Sequence, residues 1–136
     1  MNRALAQRIR LRARHCCEYC QMPQEFYPTV PFPIDHILAK QHGGESVPSN
    51  LALACLHCNS HKGPNIAGLD PVTKRLTRLF HPRRQKWNRH FVWRGPRLHG
   101  LTQHGRATVV VLALNHPDLI EVRTELIHEG LFPPAE

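Results

Sequence analysis

Four cysteines of the sequence form two pairs, each with two residues between its members. Cys17 and Cys20 make the first pair, Cys55 and Cys58 make the second, and 34 residues separate the pairs. Two such pairs supply the four thiolates that a tetrahedral zinc ion prefers in structural sites. Closing a long loop through the ion also stabilises a small domain. We therefore predict a structural Zn²⁺ site here, against the alternative of four free, partly buried thiols.

Cys16 is a fifth cysteine, directly beside the first pair. A pairing of Cys16 with Cys20 stays open on spacing alone. The spacing of Cys17 and Cys20 repeats that of Cys55 and Cys58, so we assign Cys17 to the zinc site.

A second group of polar residues lies between the cysteine pairs and just after them. Asp35 and His36 are adjacent, Asn50 follows in the same interval, and Asn59 comes directly after the last paired cysteine. Phosphodiester hydrolysis requires a base that deprotonates water near neutral pH, and an imidazole can supply it. It also requires a cation that neutralises charge on the phosphate. One carboxylate and one amide as ligands leave most coordination positions of such an ion to water and phosphate. An isolated Asp-His pair is more often a surface hydrogen bond, so the prediction depends on the combination.

Four short motifs of this interval resemble the core of the HNH endonuclease family. They are Ile34-Asp35-His36-Ile37, Gly43-Gly44, Ser49-Asn50-Leu51 and Asn59-Ser60-His61-Lys62. The resemblance covers about residues 17–63 and implies the ββα-metal fold, in which a hairpin and a helix hold one catalytic divalent ion. It further implies that His36 is the general base, Asp35 a metal ligand and Asn50 the residue that steadies the histidine-bearing loop.

Asn59 occupies the third motif position of that family, which is a metal ligand and often a histidine. The resemblance therefore implies an H-N-N variant. An amide oxygen is a hard, neutral ligand, so we expect Mg²⁺ or Mn²⁺ as the catalytic ion. His57 and His61 flank this position and could substitute for it. Lys62 is interpreted as a phosphate contact, with a solvated helix lysine as the equal alternative.

The second half of the sequence is strongly basic. Residues 71–117 contain ten Lys or Arg and no Asp or Glu, and the whole chain has a formal net charge of +8. This balance favours a polyanionic partner, and we predict DNA, although a solvated basic face or an anionic membrane surface gives the same count. Besides Lys62, the predicted DNA contacts are Arg83, Arg84, Lys86 and Arg89. The aromatic residues among them, Trp87, Phe91 and Trp93, are predicted to form a core rather than to stack on bases.

The elements that must position these residues are short. We predict a basic N-terminal helix in residues 3–14, strands at 34–38 and 51–54 around a polar loop at 41–50, and a helix that starts just after Cys58. Further on, strand 89–94 and its partner 98–101 form a hairpin, and a helix at 119–129 ends at Gly130. The apolar run 107–115 is too short to span a membrane.

The predicted fold class is α+β, a ββα-metal core stapled by a zinc site of four cysteines. Residues 1–68 would be the zinc-stapled nuclease core, and residues 69–136 a basic extension of hairpin and helices that packs on it as one structural unit. The extension also resembles the C-terminal extension of a group of small bacterial HNH proteins at Leu79-Phe80, Pro82-Arg83, Trp87, His90-Phe91 and Gly105-Arg106-Ala107-Thr108. Without a signal peptide or a membrane span, we expect a cytoplasmic protein. The alternatives to a metal-dependent DNA endonuclease are a catalytically silent zinc-stapled DNA-binding module and a zinc-knuckle interaction protein.

Overall fold

The computed structural model of the chain describes residues 1–135 and shows the predicted α+β class. Five α-helices lie in these residues: α1 Arg3–Arg12, α2 Leu56–Lys62, α3 Trp87–His90, α4 Gln103–Val111 and α5 Pro117–His128. The six strands of the same residues are β1 Ile34–His36, β2 Leu51–Leu53, β3 Ala67–Leu69, β4 Leu76–Arg78, β5 Phe91–Arg94 and β6 Arg97–Gly100. Within residues 1–135, no helix combines the length and apolar character needed to cross a bilayer.

The described chain forms two compact units. The first contains Met1–Ile66 and His81–Arg84, and the second contains Ala67–Phe80 and the chain from Gln85 onward.

The first unit is organised around the antiparallel β1–β2 hairpin and the helix α2 that follows it. Asp35 of β1 lies opposite Ala52 of β2. All three residues of β2 are buried because the strand is apolar throughout. The order of strand, strand and helix is the predicted ββα arrangement.

Arginines of α1 are used to hold the first unit together. Arg10 donates to the carbonyl oxygen of Phe32 at 2.8 Å. Arg12 donates to the carbonyl oxygens of Pro48 at 2.9 Å and Leu51 at 2.6 Å. These backbone contacts tie the helix to the chain just before β1 and to the start of β2.

The second unit contains two hairpins, β3–β4 and β5–β6, and the helices α3, α4 and α5. Glycine allows a close approach here, since a Cβ atom on Gly105 would lie 2.1 Å from the carbonyl oxygen of His90. Phe91 is buried, and the ring of Trp87 packs 5.1 Å from it between centroids. Trp87 and Trp93 are half-buried. The aromatic residues of this segment thus pack on one another.

Several predicted boundaries are wrong for local reasons. α2 begins at Leu56, before Cys58, because Cys55 caps the helix and its Sγ atom accepts the N–H of Cys58 at 3.4 Å. Residues 89 and 90 belong to α3 rather than to the following strand. No element was predicted for the apolar run 107–115; its first five residues belong to α4, which starts from a Thr102 cap. The β3–β4 hairpin was not predicted because it is short and exposes apolar side chains.

Candidate functional site

The four paired cysteines form a buried cluster in the first unit. Their Sγ atoms all lie within 4.8 Å of one another, and those of Cys20 and Cys55 are 3.6 Å apart. Tetrahedral zinc with four Zn–S bonds of about 2.3 Å requires S–S distances of about 3.8 Å. The cluster therefore fits a structural zinc ion. Cys16 is half-buried and lies outside the cluster, which includes Cys17.

Backbone N–H groups support the sulfur atoms of both pairs. The N–H of Cys20 donates to Cys17 at 3.5 Å, and the N–H of Cys58 donates to Cys55 at 3.4 Å. Such contacts favour the thiolate form that a metal requires.

Asp35 is a buried acid on β1, only 4% exposed. The hydroxyl group of Tyr19 donates to its Oδ2 atom at 2.7 Å, and the ammonium group of Lys62 donates to its Oδ1 atom at 3.2 Å. Burial raises the pKa of Asp35, whereas the neighbouring Lys62 charge opposes that rise. Burial and the Asp35 charge raise the pKa of Tyr19, so its hydroxyl stays a proton donor.

The burial of Lys62 contradicts both roles predicted for it. Its side chain is 2% exposed, whereas a phosphate contact or a solvated helix lysine requires a side chain at the surface. Besides Asp35, its Nζ atom donates to the carbonyl oxygens of His36 and Ile37, each at 3.2 Å. The Lys62 ammonium group thus neutralises Asp35 and bonds to the backbone at the end of the strand that carries the Asp-His pair.

His36 follows Asp35 on β1, and its side chain is half-buried. Its Nε2 atom lies 2.8 Å from the Oγ atom of Ser46, a residue that the sequence interpretation did not select. If Nε2 carries the proton and donates to Ser46, the Nδ1 lone pair is left to accept one. Burial of the ring, followed by the nearby Lys40 charge, lowers the pKa of His36, which favours the neutral imidazole.

Asn50 connects both ends of the loop between β1 and β2. Its Oδ1 atom accepts the N–H of Leu38 at 2.8 Å. Its Nδ2 atom donates to the carbonyl oxygens of Leu38 at 3.0 Å and Glu45 at 2.9 Å. A Cβ atom on Gly44 would lie 1.7 Å from the Leu38 oxygen, so this turn requires glycine. The loop that carries Ser46 is therefore closed by one asparagine.

Asn59 lies on α2, half-buried, one position after the last paired cysteine. The rings of His57 and His61 stack on each other with centroids 4.0 Å apart. Two positions along a helix correspond to a rotation of about 200°. Both histidines therefore start from the side of α2 opposite to Asn59.

Residues 17–65 match the family model described as HNH endonuclease. The matched segment contains both cysteine pairs together with β1, β2 and α2. Residues 17–65 are an HNH domain. A comparison with curated proteins and one with solved structures found no match. HNH domains are generally endonucleases, so this HNH domain indicates nuclease-type chemistry with a bound metal.

The predicted DNA contacts outside the HNH domain differ in exposure. Arg83 is half-buried and forms an ion pair with Glu18, whose other carboxylate oxygen accepts the N–H of Leu53 at 2.8 Å. Its charge is therefore largely compensated within the first unit, unlike that of a free phosphate contact. The remaining predicted cations are exposed: Arg84, Lys86 and Arg89.

Proposed function

We propose that this protein is a metal-dependent endonuclease that hydrolyses phosphodiester bonds of DNA, with His36 as the general base. The observation that carries the proposal is a 2.8 Å contact in the HNH domain between the Nε2 atom of His36, on β1, and the Oγ atom of Ser46, in the loop after β1. This contact orients the ring and leaves its second nitrogen available to a water molecule.

The first unit provides the residues for the proton transfer from water. Nδ1 of neutral His36 accepts a proton from water, and the water oxygen forms a bond to phosphorus. The bond from phosphorus to the leaving oxygen breaks, and the leaving oxygen takes up a proton from solvent. Ser46 holds the opposite ring nitrogen, and Asn50 closes the loop that carries Ser46. A fixed ring lowers the cost of reaching the reactive geometry.

Asp35 and Asn59 would hold the catalytic Mg²⁺ or Mn²⁺, because carboxylate and amide oxygens are the donors that these ions prefer. The Oδ1 atom of Asp35 accepts one hydrogen bond, from Lys62, and its second lone pair could serve such an ion. When bound, such a cation supplies charge neutralisation at the phosphate and the leaving oxygen. In residues 1–135, the cysteine cluster is the only group of three or more close Cys, His, Asp or Glu ligands. The catalytic ion would thus rely on few protein ligands.

The cysteine cluster is proposed to hold a separate, structural Zn²⁺ ion. Its four buried sulfur atoms leave no position open for substrate, as is typical of closed zinc sites.

DNA is the proposed substrate because of the charge of the chain. Arg84, Lys86 and Arg89 are exposed and belong to the acid-free segment 71–117. Cations of this kind neutralise phosphates without reading the base sequence. We keep the division into a nuclease core, residues 1–68, and a basic extension, residues 69–136, as part of this proposal.

A second candidate function is a catalytically silent, zinc-stapled DNA-binding module. The observation that favours it is the ammonium group of Lys62, which already neutralises Asp35 in the place of a divalent cation. Retention of Asp35, His36, Asn50 and Asn59 favours the endonuclease, because binding alone requires none of them.

Plasmid cleavage distinguishes the two candidates. Protein treated with EDTA is assayed with added Mg²⁺ or Mn²⁺, beside His36→Ala, and zinc content is measured throughout. Cleavage that the added ion restores and the variant lacks, at unchanged zinc content and DNA binding, supports the endonuclease. DNA binding without cleavage under either metal supports the silent module instead.

A further inference from the structure

The β3–β4 hairpin, residues 67–78 of the second unit, exposes apolar side chains. Leu76 is 75% exposed, Val72 at the turn is 68% exposed and Leu69 is 58% exposed. Leu69 and Leu76 are directly opposite each other in the antiparallel register, so their side chains share one face. The opposite face packs inward, since Thr77 is buried. The hairpin therefore presents an apolar face that the described second unit leaves in solvent.

The exposed charge of the hairpin is entirely positive. Lys74, Arg75 and Arg78 are exposed. Asp70 is the only acid in residues 67–78, and it is fully buried. Arg106 of α4 neutralises Asp70 through two parallel hydrogen bonds, both 2.8 Å long. A partner with negative charge beside apolar surface would be complementary to this hairpin.

The same Asp70 makes the hairpin rigid. Its carboxylate accepts the backbone N–H of Val72 at 3.1 Å and the hydroxyl group of Thr73 at 2.9 Å. Gly68 of β3 lies so close to α4 that a Cβ atom there would be 2.3 Å from a methyl carbon of Val111. A turn held in this way loses little conformational entropy when it binds.

We infer that the β3–β4 hairpin binds duplex DNA, with its apolar face in the major groove and its cations on the flanking phosphates. The choice of polyanion rests on the proposed function. A major groove about 12 Å wide admits a two-stranded β-ribbon, and apolar side chains there contact thymine methyl groups. Lys74 and Arg75 follow the exposed turn and can reach phosphate oxygens on either side of the groove.

The apolar part of the inference is tested with Leu69→Thr/Leu76→Thr. Binding to a short fluorescent duplex is measured in the His36→Ala background, so that DNA stays intact. The double variant weakens binding about tenfold and leaves the salt dependence unchanged. Threonine keeps the strand propensity, and unchanged circular dichroism checks the fold. Val110→Thr on α4, which replaces a 55% exposed residue, is the matched control and keeps full affinity.

Removal of the thymine methyl groups from the duplex tests the major-groove contact independently. A duplex with uracil in place of thymine binds the parent protein more weakly, whereas Leu69→Thr/Leu76→Thr does not distinguish the two duplexes. If the parent also binds both duplexes equally, the major-groove assignment is wrong.

The cationic part is tested with Lys74→Gln/Arg75→Gln. Loss of two phosphate contacts reduces the slope of log K against log salt by up to about 1.8. Arg94→Gln/Arg97→Gln removes two exposed cations from the turn of the β5–β6 hairpin and serves as the matched control. A change in slope no larger than that of the control overturns the inference.

Two further outcomes separate the hairpin from the other proposals. If hairpin variants lose binding to phosphatidylserine vesicles but keep DNA affinity, the partner is a membrane and the inference fails. The same variants with His36 intact are assayed for plasmid cleavage. If the parent protein does not cleave the plasmid but its DNA binding depends on the hairpin, only the proposed nuclease function fails. If the hairpin variants cleave the plasmid and bind DNA as well as the parent protein does, only the inference about the hairpin fails.

Discussion

The Nζ atom of Lys62 lies 3.2 Å from each carboxylate oxygen of Asp35, and both side chains are buried. The two residues are 27 positions apart, on α2 and β1. Their contact joins the helix to the strand of the Asp-His pair. Lys62 is therefore a positioning residue of the proposed site, not a contact for DNA.

Removal of the Lys62 charge is expected to destabilise the protein. Lys62→Met leaves a buried carboxylate without its cation, a change that costs about 3–5 kcal/mol. Urea unfolding measures this difference, and Lys40→Met, at an exposed lysine, is the control with a change below about 0.5 kcal/mol. Lys62→Met/Asp35→Asn should be more stable than the sum of the single variants predicts. Equal costs at positions 62 and 40 would contradict the buried pair.

Ser46 is expected to affect cleavage through His36. Ser46→Ala removes the group that orients the ring, so the rate of plasmid cleavage should fall about tenfold, part of the 10²–10⁴-fold that a general base contributes. Ser46→Thr retains the hydroxyl group and should restore most of the rate. Ser49→Ala, at an exposed serine of the same loop, is the control. A loss in Ser49→Ala as large as that in Ser46→Ala would rule out a specific role.

Asn50 is expected to determine the stability of the β1–β2 loop. Asn50→Ala removes three hydrogen bonds, and we predict a loss of about 1–3 kcal/mol together with faster amide hydrogen exchange at Leu38. Asn50→Asp keeps the acceptor for the Leu38 N–H, so exchange at that amide should change less. The prediction fails if the two variants exchange alike at Leu38.

Zinc content is expected to depend on Cys17 but not on Cys16. Cys17→Ser removes one of four clustered ligands, so purified protein should lose its zinc and the helical signal of the HNH domain. Cys16→Ser, at a half-buried cysteine outside the cluster, should retain one zinc ion per chain. Elemental analysis and circular dichroism measure both properties. Zinc lost from Cys16→Ser and kept by Cys17→Ser would reverse the assignment.

Asp70 is expected to make stability depend on acid pH. Hydrogen bonds from Arg106 hold the pKa of Asp70 well below its ordinary value. The contribution of ionised Asp70 to the free energy of unfolding is therefore complete above the pKa of the unfolded state, about 3.9. It is lost as the pH falls toward the lower pKa of the folded state. Asp70→Asn should lower the melting temperature at neutral pH, and its difference from the parent should shrink below about pH 4. Asp118→Asn, at an exposed acid, is the control. A difference that is constant with pH would contradict this linkage.

The sequence by itself determined the cysteine site and the ββα order of the HNH domain. Both depend on short spacings, because a CxxC pair presents its sulfur atoms to one ion and the Asp35-His36 pair lies on one short strand. The apolar Leu51–Leu53 segment likewise identified β2 without tertiary information. Local patterns of this kind are fixed by neighbouring residues.

Tertiary structure alone decided how the charged and polar side chains are used. The sequence around Lys62 does not indicate whether its side chain faces solvent or Asp35. Only the packing of α2 against β1 buries it. Arg83 contacts Glu18, which lies 65 positions away in the sequence, and Ser46 contacts His36, which lies ten positions away. Contacts between residues so distant along the chain depend on which surfaces pack together. The free energy of a charge depends on that burial, which spacing along the sequence does not specify.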